Sequence, residues 1–141
     1  MKGKYWCFAV LFSLVFSSVL AQGVPIEPGM WEITSTMKIP MLPKPRVTTS
    51  MECIVESELS PEAMTEEDMD SNCTFDTRVV DGNTMKWSMD CIAQGGASRG
   101  EWEVASHGDT LTGGGTITVD MQGQAIAMTM QWDGKRVGDC E

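Results

Sequence analysis

The sequence predicts a mainly β fold: a single antiparallel sheet, curved or barrel-like, running as a meander of about seven strands with one short helix. Three observations predict it. Apolar and polar residues alternate with a period of two along most of the chain between Trp31 and Trp132. Turn signals such as Asp81-Gly82-Asn83, Gly108-Asp109 and Gly123 punctuate that alternation at short intervals. Only Glu56 to Asp70 departs from it, opening a helix with a Ser60-Pro61 start signal.

The chain begins with an export signature. Lys2 and Lys4 supply positive charge, Trp6 to Leu20 are mostly apolar, and Val19-Leu20-Ala21 carries the residue sizes that a signal peptidase reads. Residues 1–21 are therefore expected to be a signal peptide, and 22–141 a single β-domain. An apolar run of about 15 residues is short of the roughly 20 that cross a bilayer, so no membrane span is expected in the mature chain. Cys7 sits early in the apolar run, away from the cleavage site, which argues against a lipid anchor.

In the mature region, Trp31, Ile33, Met37 and Ile39 share one parity until Pro40, Pro43 and Pro45 interrupt the ladder. Val47, Thr49, Met51 and Cys53 restart it. Cys73, Phe75, Thr77 and Val79 form a third run, and beyond the turn at Gly82 come Met85, Trp87, Met89 and Cys91. Gln94 to Ser98 reads as a small-residue loop, followed by a strand with Trp102 and Val104. Leu111, Ile117, Val119 and Met121 then lead through Gly123 to Ile126, Met128, Met130 and Trp132. Gly113, Gly114 and Gly115 inside a strand pattern suggest a bulge or sharp bend that curls the sheet.

Charge narrows the partners. Without Lys2 and Lys4, eight basic residues face 20 acids, a net charge of −12. Nucleic acid is not an expected partner, because neutralising phosphate requires clustered Lys and Arg.

Catalytic constellations are weak. Gly96-Ala97-Ser98-Arg99-Gly100 matches a hydrolase nucleophile pattern, but it lies between strands rather than on a strand-to-helix turn. Asp68 to Asn72 begins like a calcium loop, yet Cys73 and Val79 occupy the places of its glycine and closing glutamate. The cysteines lack C-x-x-C spacing and His107 is the only histidine, which argues against zinc. Asn72-Cys73-Thr74 is an incidental glycosylation pattern. No enzymatic activity, cofactor or resident metal is expected.

The four cysteines left after the signal, Cys53, Cys73, Cys91 and Cys140, read as two disulfides with three pairings open. Loop lengths favour Cys53 with Cys73 and Cys91 with Cys140, and Cys53 with Cys91 is the alternative. One strand parity collects soft, bulky side chains. Trp31, Met37, Met51, Met85, Trp87, Met128, Met130 and Trp132 are the candidate lining of a ligand site, with Met89, Met121 and Trp102 on the same parity. Methionine adapts to irregular shapes, so an apolar or amphipathic small molecule is the expected ligand. The competing readings are a plain filled core and a thioether site for Cu(I).

Pro28-Gly29-x-Trp31-Glu32, Cys53 ahead of the acidic stretch, Cys73, Trp87-x-Met89-x-Cys91 and Gly134-x-Arg136-x-Gly138-x-Cys140 occur in order. Together they resemble a family of small exported proteins, chiefly from Gram-negative bacteria, catalogued as a domain of unknown function. The resemblance spans essentially the whole mature chain. It implies an exported, disulfide-bearing β-domain, periplasmic or secreted, and carries no activity with it. An envelope structural or protein-interaction module with a filled core is the alternative to ligand binding.

Overall fold

The computed structural model describes residues 22–65, 72–93 and 96–141. The expected signal peptide (1–21), the calcium-like start at 68–71 and the loop residues 94–95 lie outside the described residues.

Seven antiparallel strands form one large sheet in the order β3-β2-β9-β8-β7-β6-β5. These are β2 (Gly29–Lys38), β3 (Arg46–Ile54), β5 (Cys73–Asp81), β6 (Thr84–Ala93), β7 (Gly96–Ser106), β8 (Thr110–Met121) and β9 (Gln124–Gly138). From β5 to β9 the chain is a plain meander. Its last strand then pairs with β2, so β9 is flanked by β8 and β2. The sheet is not closed, and β3 and β5 are its two edges.

The connection from β3 to β5 travels from one edge to the other. It carries β4 (Glu58–Leu59), which pairs with β1 (Val24–Pro25), and the single-turn helix α1 (Pro61–Thr65). Ser60 caps α1: its hydroxyl accepts from the Ala63 N–H at 3.3 Å, and its carbonyl accepts from Met64 N at 3.2 Å. Glu62 on α1 is ion-paired with Arg78 on β5.

These short pieces roof one end of the inner sheet face. Val24, Ile26 and Leu59 are buried with Trp31, Met85, Trp87, Trp102, Val104 and Leu111 in one core. The roof is fastened by backbone as well as by packing. Glu27 N donates to Gly108 O at 3.1 Å, and Ser106 Oγ donates to Pro25 O.

The two framing motifs, distant in sequence, are adjacent in space. Met30 pairs with Gly138 and Trp31 with Arg136, with one bulge between them. Arg136 Nε donates to Pro28 O at 2.8 Å, and Arg136 is also ion-paired with Asp139. Gly29 holds φ +149°, and a side chain there would run into the Arg136 guanidinium and the Gly138 carbonyl.

Both disulfides form, with neither of the pairings favoured by loop length. Cys73 joins Cys91, and Cys53 joins Cys140. Cys73 and Cys91 are directly opposed on β5 and β6, with Cα atoms 4.0 Å apart. Cys53 pairs with Met30, whose other neighbour is Gly138, so the C-terminal tail passes close to the β3 edge.

Two local expectations are also corrected. Pairing runs unbroken through Gly113, Gly114 and Gly115 on both sides, so those glycines make no bulge. The bulges fall at Met30/Trp31 and at Phe75/Thr77 instead. Residues 96–98 belong to β7 rather than to a loop, since pairing reaches Ala93 and Gly96.

Candidate functional site: the methionine and tryptophan face

Antiparallel register decides which side chains share a face, because directly paired residues project to the same side. One row crosses the sheet as Met37, Met130, Gly115, Trp102, Trp87 and Arg78. The row towards the roof contains Trp132, Gly113, Val104 and Met85. The row away from it contains Met128, Ile117, Gly100, Met89 and Phe75.

Glycine alternates with tryptophan here for a steric reason. Trp102 lies flat over Gly100 and Gly115, Trp132 covers Gly113, and Trp31 covers Gly134. The indoles of Trp87, Trp102 and Trp132 form a stacked series, with centroid separations of 6.3 and 5.1 Å. A methyl group at Gly115 would overlap both the Glu101 carbonyl oxygen and the Trp102 ring. Gly115→Ala is expected to cost about 3 kcal/mol by overpacking. Gly138→Ala, with nothing within 4 Å, should stay within about 0.5 kcal/mol. Equal urea midpoints for the two variants would refute the steric account.

The face has two environments. Under the roof, Trp31 and Met85 are fully buried and belong to the core. Beyond it, Met37, Met89, Met128, Met130, Ile117, Phe75 and Trp132 are only half-buried. Trp87 and Trp102, at the boundary, are 3% and 9% exposed. Their indole N–H groups are buried without a hydrogen-bond partner among the described residues, as is the Ser88 hydroxyl. The Trp102 N–H sits over Gly100, on the side away from the roof.

Met51 is not on this face. It pairs with Glu32, on the opposite parity from Trp31, and is 56% exposed. The inner positions of β3 are Thr48, Ser50 and Glu52. Met121 does share the face, but it lies at the β8–β9 hairpin end and is 54% exposed. The structure thus gathers Trp31, Met37, Met85, Trp87, Met128, Met130 and Trp132 and leaves Met51 out. The roof residues Val24, Ile26 and Leu59 were not anticipated. Their signal was an apolar alternation ahead of Pro28 and a lone leucine among acids.

The centre of the other face is polar. A shallow groove of about 580 Å³ runs along Gly114, edged by Thr36, Thr112, Thr116, Thr129 and Gln131. Nearby, Arg99 bonds Asp90 at 2.7 Å and Asp76 at 3.2 Å, tying β7 to β6 and β5. Those hydrogen bonds, with Asp90 foremost, raise the affinity of the guanidinium for its proton above the ordinary arginine value.

The hydrolase pattern gains no support from geometry. Ser98 lies near the start of β7 and His107 just beyond its end, so the two are about 30 Å apart along an extended strand. The exposed His107 shares a 3.3 Å hydrogen bond between its Nδ1 and Asn83 Nδ2. Among the described residues no helix is long and apolar enough to cross a membrane.

No curated protein and no solved structure matches this chain. A model of a family described as "Protein of unknown function (DUF3617)" matches residues 26–140, from the first roof residue of β1's exit to the last disulfide cysteine, and the chain belongs to that family.

Proposed function

We propose that this domain is an exported, non-enzymatic binding protein of the periplasm or extracellular medium, holding an apolar or amphipathic molecule against its methionine and tryptophan face. The observation that carries the reading is the unequal roofing of that face. Half of it is sealed core, and the other half presents Met128, Met130, Ile117 and Phe75 partly to solvent. Half-covered methionine surface suits ligands of irregular shape. Two disulfides accord with an oxidising compartment.

Titration with laurate, followed by tryptophan emission, tests the reading. Saturable binding at roughly micromolar concentration is expected. Met128→Ala should weaken binding with little loss of stability. Met85→Ala, in the sealed half, should instead cost about 3 kcal/mol of stability. A flat titration, or equal destabilisation by both methionine changes, would sink the proposal.

A further inference from the structure

The two edges of the sheet are treated differently. β5 carries a bulge at Phe75/Thr77, its Asp76 is engaged by Arg99, and its Arg78 by Glu62. Bulges and charged side chains are among the devices that stop an edge from recruiting another strand. β3 has no bulge, and its two charges, Arg46 and Glu52, are of opposite sign. Its nine residues pair with β2 in unbroken register, contain neither Lys nor Pro, and are largely exposed. Among the described residues, β2 is its only strand neighbour.

The sequence of β3 is complementary to itself when reversed. A two-fold axis at Thr49 places Arg46 opposite Glu52 of a second copy, Val47 opposite its Met51, and Thr48 opposite its Ser50. Each of these pairs falls on one face of the extended sheet, because the two members share a parity. Val47 and Met51, exposed at 62% and 56%, would cover each other on the outer face. Arg46 and Glu52 would pair on the inner face. Within one chain these two are six residues apart on a strand, roughly 20 Å, and cannot meet.

From this complementarity we infer that the β3 edge is a homodimer interface, two copies pairing antiparallel about Thr49 into one continuous fourteen-stranded sheet. Each half-interface supplies three residues on either side of the axis, with an ion pair at each end and an apolar pair inside it.

Charge exchange tests the register. Sedimentation velocity on the disulfide-bonded protein should show a concentration-dependent dimer. Arg46→Glu and Glu52→Arg each place like charges opposite each other twice, and each should weaken dimerisation at least about tenfold. An equimolar mixture of the two single variants should dimerise again, because opposite charges then face each other at both ends. The double variant R46E/E52R should dimerise as the parent does. Should either single variant fold poorly, slowed hydrogen exchange of the β3 amides on concentrating the unmodified protein reads the same contact. A parent that stays monomeric, single variants that dimerise unchanged, a mixture that does not recover, or β3 exchange independent of concentration would each overturn the inference.

Discussion

Removing the Cys53–Cys140 bridge, by Cys53→Ala together with Cys140→Ala, is expected to lower stability by about 4–5 kcal/mol. The bridge spans a sequence separation of 87, against 18 for Cys73–Cys91. In the chain-entropy account the cost grows with the logarithm of the closed loop, so removing the shorter bridge should cost about 3 kcal/mol. The longer bridge also fixes something the shorter does not. It ties edge strand β3 to the tail beyond β9 across β2, whereas Cys73 and Cys91 already face each other on paired strands. Against a typical total of roughly 5–15 kcal/mol, loss of the longer bridge leaves little in reserve. Urea unfolding of the two double variants measures the difference, and a larger loss from the Cys73–Cys91 pair would contradict it. Hydrogen exchange should also localise the damage, with β3 amides exchanging first.

Trp31→Ala should have an effect of similar size, about 4 kcal/mol. Trp31 is completely buried, lies over Gly134, and donates its indole N–H to Glu27 O at 2.9 Å. Truncation therefore opens a cavity beneath the roof and leaves the Glu27 carbonyl without that donor. Trp31→Phe retains most of the volume and should cost about half as much. Trp132→Ala, on the half-open part of the face, should cost less than Trp31→Ala because solvent already reaches the indole. Thermal unfolding of the three variants gives the ranking, and equal losses for Trp31→Ala and Trp132→Ala would erase the distinction between sealed core and open face.

Period-two alternation was enough to locate the strands of the main sheet, and Ser60-Pro61 marked the start of α1. Alternation does not say which parity faces inward, and β3 shows why. At an edge beyond the reach of the roof, the apolar parity of Val47 and Met51 turns outward while Thr48, Ser50 and Glu52 take the inner side. A bulge defeats the same logic within one strand. Between Phe75 and Thr77 the inner parity switches, so Phe75 and Val80 pack on the core while Val79 is 55% exposed. That one-residue shift is also what sets Cys73 opposite Cys91; continued without it, the hairpin register would have placed Cys73 opposite Ile92. The Cys53–Cys140 bridge depends on β9 returning to β2, a long-range pairing that no local pattern encodes. The triple glycine was legible as unusual, but Gly113 and Gly115 were not legible as seating for indoles, because the tryptophans that need the space, Trp132 on β9 and Trp102 on β7, lie on the neighbouring strands.

The return of the last strand to the first long one has a consequence for the order of assembly. β2 emerges from the ribosome about a hundred residues ahead of the partner that will flank it, Met30 pairing with Gly138 and Thr36 with Gln131. Until then the β2–β3 hairpin can close locally, but one side of β2 stays an unsatisfied template. The β5–β9 meander can grow hairpin by hairpin in the meantime. Joining the two halves waits for the final strand, and closure over so long a separation is entropically slow. A growing chain of this kind passes through a stage in which two partly built sheets each carry a raw edge, and that stage is its period of greatest exposure to misassociation.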